Sequence, residues 1–329
     1  MKWLEQFERL LLKDYLNETV AFQIAVDLKN ENIPKRLFKY RMAPTDGNTH
    51  TLEMLQNQTG WFCPCSEFND VFDSNFKFNI SDIKVDKNSQ FIKENIPVFG
   101  ETFKNVVFSD PELQKLYQIS KLDNPAIVTP KKKQEKTDPI IEKNMELLKK
   151  YIYEKSENES LYSVSKIRQR MKVFSLSTDH LNEIMWAHYA SEGKGICIEY
   201  DFSNLGGSDF LTNNLFPVLY SDTQVDLTNY IKRATHNSEY LNNPLFYILP
   251  VIIKKPQWSP EKEWRIISPN NKTIGGYNEI LPKPKTVFLG YNIENEYREK
   301  IIKICSEKSI DVKTIFINNF KRELEEADL

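Results

Sequence analysis

Glycine is scarce in this chain, 10 among 329 residues, and neither a GxGxxG run nor a Walker-type loop occurs. The common folds that cradle a nucleotide on glycine backbone are therefore disfavoured. An excess of charge of one sign is also lacking: 44 Lys and Arg stand against 46 Asp and Glu, a formal net charge of −2. Proteins that grip nucleic acid mainly by neutralising phosphates carry a basic excess, and none is present overall. No apolar run reaches the length that spans a bilayer, since Leu245–Ile253 is too short and contains Pro250. The four cysteines (Cys63, Cys65, Cys197 and Cys305) have neither zinc-knuckle nor CxxC spacing. They read as free thiols in a reducing compartment, with no metal site. Met1–Lys13 mixes charge into its apolar positions and has no small-residue cleavage site, so no signal peptide is read and a cytoplasmic location is expected. What the chain does have is 40% hydrophobic and 12% aromatic residues, enough to bury a substantial core.

The order of elements predicts an α+β protein with a mixed or antiparallel β core and flanking helices. Trp3, Phe7, Leu10 and Leu11, then Val20, Ile24, Ala25 and Leu28, recur at helical spacing, giving N-terminal helices over 1–33. A single α+β domain over 34–329 follows. Lys35–Arg41 and Gly60–Cys65 read as strands, with Asn48 capping a short helix between them. Strand-like alternation fades over about 77–170, where Pro111–Ser120 and Ile140–Lys155 look helical and Lys131–Lys136 and Lys155–Ser160 look solvated. This block reads as a helical insertion. Strands are expected again at Lys172–Ser177, Lys194–Asp201, Phe216–Ser221 and Lys262–Ser268, with helices at His180–Ala190 and Asn243–Lys254. The C-terminal part reads strand Thr286–Leu289, helix Glu294–Ser306, strand Ile310–Ile317, a β–α–β element.

Polar residues collect inside three strand-forming segments. Tyr40 and Arg41 end the first strand, and Asn69, Asp70 and Asp73 crowd the loop after the second. Ser175 and Ser177 alternate along KVFSLS and share a face; Trp186, His188 and Tyr189 follow on a helix. Trp258, Glu261, Glu263 and Arg265 lie in WSPEKEWRII, where the last three share one strand parity. The bland alternatives are a surface ion pair for Arg41, an exposed face for the serines and a solvated stripe for Glu261, Glu263 and Arg265. Asn69 and Asp70 read equally as turn chemistry, and His188 as a packed core histidine.

Taken together, LFKYR, WFCPCSEFNDVFD, FSLSTDHLNEIMWAHYASEGKGICIEYD, KPQWSPEKEWRII and the VFLGYNI segment resemble the bacterial family called domain of unknown function 2971. Val71 stands where that family has Pro. Its members occur in bacterial conflict and anti-phage settings, so the resemblance implies a defence effector or toxin. More distantly, the chain resembles ADP-ribosyltransferases of the Arg–Ser–Glu type, which carry an Arg on one strand, a Ser-x-Ser on a later one and a Glu-x-Glu opening a third. Arg41, Ser175–Ser177 and Glu261–Glu263 supply these in the same order, with Leu176 in place of the more usual Thr. That resemblance implies a core of split sheets and NAD as substrate. On it Arg41 holds phosphate, Ser175 and Ser177 brace the nicotinamide ribose, and Glu263 is the catalytic carboxylate. Glu261 orients or activates a protein or nucleic-acid acceptor, and Tyr40, Trp186 or Tyr189 stacks on nicotinamide. Two other readings stay open. One is a metal-dependent nucleic-acid enzyme using Asp70, Asp73, Glu199 and Glu263, with Lys254, Lys255 and Arg265 facing phosphate. The other is a non-catalytic sensor that binds a partner through the N-terminal helices and the insertion.

Overall fold

The computed structural model describes residues 2–14, 19–44, 49–78, 161–162, 164–203, 205, 209–230, 245–268 and 275–329. The expected helical stretches Pro111–Ser120 and Ile140–Lys155, the charged runs Lys131–Lys136 and Lys155–Ser160, and the capping Asn48 lie outside the described residues. The chain divides into two compact units. The first comprises Met1–Ser74, Arg168–Thr223 and Tyr247–Leu329, and the second Asn75–Ile167 and Gln224–Phe246. In the second unit, β3 (Phe76–Lys77) and β8 (Val225–Asp226) pair in parallel, and Phe76, Phe78, Leu227 and Tyr230 are buried.

The first unit is α+β, as its sequence pattern predicts, and is built on one ten-stranded sheet. Its main path runs β11 (Tyr277–Ile280), β2 (Thr59–Pro64), β4 (Lys172–Ser177), β1 (Arg36–Arg41), β5 (Ile196–Asp201), β12 (Thr286–Leu289), β13 (Asp311–Asn318) and β14 (Glu323–Asp328). Off that path, β10 (Glu263–Ser268) pairs antiparallel with both β4 and β6 (Leu215–Pro217). Only β12 and β13 run parallel within this sheet, joined by helix α7 (Asn295–Lys308), the β–α–β element read from the sequence. The expected strand over Phe216–Ser221 is two short ones, β6 and β7 (Leu219–Tyr220), and the helix expected over Asn243–Lys254 ends earlier. After α6 (Leu245–Ile252), β9 (Ile253–Lys254) pairs in parallel with β7. Among the described residues no helix is long and apolar enough to cross a membrane.

Alternating residues send each strand's side chains to two faces, and each face of this sheet has its own core. On one, Leu37, Phe174, Leu176, Ile196, Ile198, Trp264 and Ile266 pack with Tyr297, Ile301 and Cys305 of α7. On the other, Phe38, Tyr40, Cys197 and Phe288 pack with Trp186 of α4 (Glu183–Tyr189). Because β4, β5 and β10 are covered on both faces, they read as largely apolar runs into which polar residues intrude. The N-terminal helices join the first core. Trp3 of α1 (Lys2–Arg9) stands 6.1 Å from the ring of Trp264, and Phe7 is fully buried.

Helix α2 (Thr19–Glu31) places Lys29 in the interior, where its ammonium donates to the carbonyl of Thr212 at 2.7 Å in the short helix α5 (Phe210–Asn213). A cation near helix C-terminal carbonyls is well placed, but burial lowers this ammonium's pKa to about 8 from 10.5. Below pH 8 both folded and unfolded chains bind the proton and the burial penalty is complete. Between pH 8 and 10.5 the unfolded chain binds more protons, so stability rises with pH, by about 3 kcal/mol over the full interval. Urea denaturation across that range is expected to show the rise, and Lys29→Met to reduce its slope. An unchanged slope in Lys29→Met would show that the ammonium is not strained by burial.

Candidate functional site

The site is built where β10 meets the 3₁₀ turn Pro256–Glu261 that precedes it. Here the sequence reading needs correction: Glu261 does not share a strand with Glu263 and Arg265. Pro256 and Pro260 shape the turn, and Lys262 takes a left-handed conformation (φ 47°) before β10 opens at Glu263. Nor is the stripe solvated; Glu261, Glu263 and Arg265 are all buried.

These three residues close a charge cluster with Lys254 of β9 and Asp73. Arg265 holds Asp73 through two bonds, Nη1 to Oδ1 at 2.8 Å and Nη2 to Oδ2 at 2.6 Å. It also holds both oxygens of Glu263, at 2.8 and 2.9 Å. Lys254 Nζ donates to Glu261 at 2.5 Å and to Glu263 at 3.1 Å, and stands 3.5 Å from Asp73. None of the five side chains is more than 6% exposed. Burial alone would neutralise such groups, yet the fields of Arg265 and Lys254, with a contribution from the Ser175 hydroxyl, hold Glu263 well below the usual carboxylate range. Conversely, despite burial, Glu263 and Asp73 keep Arg265 firmly charged, and Glu263 and Glu261 keep Lys254 charged. Three carboxylates surround two cations, so the ionised cluster carries one negative charge in excess.

Serine and tyrosine hydroxyls frame the cluster. The β4–β10 register sets Ser177 opposite Glu263 and Ser175 opposite Arg265. Ser177, fully buried, donates to the carbonyl of Glu261 at 2.8 Å, tying the end of β4 to the turn. Tyr189 of α4 donates to Glu261 Oε1 at 2.7 Å and accepts from Asn69 Nδ2 at 3.2 Å. Tyr220 accepts the amide of Glu263 at 2.9 Å.

The structure thus brings together Ser175, Ser177, Tyr189, Asn69, Glu261, Glu263 and Arg265, and leaves others apart. Arg41 stands apart from the cluster. It shares strand parity with Leu37, on the face opposite Phe38, and Phe38 is registered on Ser177. Its electrostatic neighbours are Tyr200 and Tyr297 of the α7-side core rather than Glu263. Its carbonyl lies where a side chain on Gly195 would stand, 2.1 Å from the Cβ position, so the bareness of Gly195 lets the end of β1 approach β5. Tyr40 and Trp186 are core residues: their rings meet edge to face at 5.3 Å, with Trp186 wholly buried, which leaves neither surface free to stack on a ligand. His188 is exposed on α4, not packed in the core. Asp70 is buried in its loop, with Oδ1 accepting the Phe72 amide at 2.9 Å. The four carboxylates of the metal reading do not converge. Asp73 and Glu263 are opposed by Arg265, and Glu199 is held by Arg36 on the β1–β5 pair at 2.7 Å. Among the described residues no group of three or more His, Cys, Asp or Glu side chains is disposed to hold a metal ion. Sequence reasoning gave Asp73 and Lys254 only to that metal alternative, and missed Lys39 altogether.

The segment that carries most of this cluster is also the one that compares with a known family. Residues 185–266 match the model of the family described as Protein of unknown function (DUF2971). No curated protein and no solved structure matches the chain. The DUF2971 segment contains Tyr189, Lys254, Glu261, Glu263 and Arg265, while Asp73 and the two serines are supplied from outside it.

Proposed function

We propose that the protein consumes NAD, transferring or releasing ADP-ribose as an ADP-ribosyltransferase does, with Glu263 as the carboxylate beside the reacting ribose. The observation that carries this reading is strand placement. The Ser-x-Ser strand β4 lies between β10 and β1, with Ser177 registered against both Glu263 and Phe38, so the three motif-bearing strands are successive neighbours. The charge balance supports it as well. When the bond between ribose C1′ and nicotinamide breaks, nicotinamide leaves with the bonding pair and positive charge builds on the ribose. A cluster with one excess negative charge, organised before the reaction, stabilises that charge. Water or an acceptor group then bonds to C1′ and gives up a proton, and Glu261, bonded to Tyr189 and Lys254, stands on the acceptor side. Arg41, on the other face of β1, serves the pyrophosphate end of the dinucleotide. The setting, a bacterial defence effector or toxin, rests on the family resemblance.

Purified protein incubated with NAD, alone and with protein and nucleic-acid acceptors, is expected to release nicotinamide, followed by chromatography. If it neither binds nor consumes NAD under any of these conditions, the reading is wrong.

A further inference from the structure

The sheet is interrupted beside β4. Strand β1 runs along β5 over its whole length, from Arg36 opposite Asp201 to Arg41 opposite Ile196, but meets β4 at Phe38–Ser177 alone. At its other end β4 is taken up by β2, with Cys63 opposite Val173 and Pro64 opposite Lys172. Between these points Phe174–Leu176 has no strand partner on that side among the described residues. A backbone carbonyl left unpaired in an interior is costly, and one side chain answers for it. Lys39 Nζ donates to the carbonyl of Ser175 at 2.9 Å and stands 4.7 Å from the centre of the Phe174 ring.

Lys39 and Arg41 project from the same face of β1, and both are half-buried. Neither has a carboxylate within ion-pair distance among the described residues, and Arg41 Nε is sequestered with no hydrogen-bond partner. Cations withdrawn from water are ordinarily paired, so two neighbouring half-buried ones without a counter-ion among the described residues are disposed to receive an anion. Lys39 also feels Arg41 from its own strand and Glu263, Cys63 and Glu261 from β10, β2 and the turn, so both Arg41 and the carboxylate cluster act on its charge.

We propose that Lys39 and Arg41 form an anion subsite in the opening between β1 and β4, with Lys39 as the second cation that receives the pyrophosphate of the dinucleotide. This rests on the NAD reading above. It carries a pH signature: burial, and then the charge of Arg41, lowers the Lys39 ammonium to about 8, with the two glutamates and Cys63 pulling the other way. The subsite therefore loses one of its two charges in mildly alkaline solution.

The test is calorimetric titration of the full chain with inorganic pyrophosphate at pH 7 and about pH 9.5, on either side of the Lys39 transition. Wild type is expected to bind at pH 7 and more weakly at the higher pH. Lys39→Met should bind about tenfold more weakly at pH 7, while Lys39→Arg, whose charge persists, should keep its affinity at both. NAD should compete with pyrophosphate, and a single-stranded oligonucleotide should not. The proposal is overturned if wild type does not bind pyrophosphate, if Lys39→Met binds as wild type does, or if the oligonucleotide competes and NAD does not. Because the probe has no ribose, Lys39-dependent binding in a protein that leaves NAD intact would sink the enzymatic reading and keep the anion subsite. NAD turnover indifferent to Lys39 would do the reverse.

Discussion

Replacing Arg265 with Met is expected to lower the unfolding free energy by about 3–5 kcal/mol, read as a shift in the urea midpoint. Arg265 is fully buried and holds two carboxylates from opposite sides, Asp73 and Glu263. Without it, three buried carboxylates share Lys254 alone, and each must either lose its proton-free form or stay unpaired in a poorly solvated interior. The loss would be a large part of the stability of an ordinary domain. Adding Asp73→Asn should recover part of it by removing one orphaned charge. Arg265→Lys should fall between, because an ammonium keeps the charge but not the fork that grips both carboxylates. A midpoint unchanged in Arg265→Met would mean that the cluster is not a working part of the fold. On acidification the contribution of Glu263 should persist down to its unfolded pKa of 4.5 and be lost as pH falls below that, since its folded pKa is depressed.

Glu263→Gln should remove the chemistry from a chain that still folds. The substitution leaves two anions (Asp73 and Glu261) against two cations (Lys254 and Arg265), so the midpoint should fall, but by less than in Arg265→Met. The excess negative charge is then gone, and with it the group that stabilises a cationic ribose. Nicotinamide release is expected to fall about 10²–10³-fold, with KM for NAD nearly unchanged, the pattern of an interaction made in the transition state. A folded Glu263→Gln protein that releases nicotinamide at the wild-type rate would remove Glu263 from the mechanism.

The elements that carry their own pattern were legible in the sequence: the Ser-x-Ser alternation of β4, the polar intrusions of β10, and the strand–helix–strand run through α7. The partners were not. Arg265 and Asp73 are separated by 192 positions, and no local periodicity joins them. Lys39 sits between Leu37 and Arg41 in what reads as an amphipathic strand. Its interior placement follows from the parting of β1 and β4, a tertiary event with no local signature. Strand β14 was missed for another reason. ELEEAD has poor strand propensity, and pairing along β13, with Leu324 as its one buried residue, overrides it. The face to which Arg41 turns was not legible either, because the order of the motifs along the chain says nothing of strand parity.

Asp73 has a second attachment besides its carboxylate. Arg168 Nη2 donates to the carbonyls of Asp73 and Cys65, at 3.0 and 3.1 Å, so the points where the chain leaves the first unit and returns to it are fastened to each other. The long excursion begins and ends at one clasp, and the entropy of closing it is settled there. Insertions or deletions within 79–160 should therefore leave the register of β4 and the geometry around Arg265 undisturbed. Parting the clasp, by contrast, would reach Arg265 through a single residue.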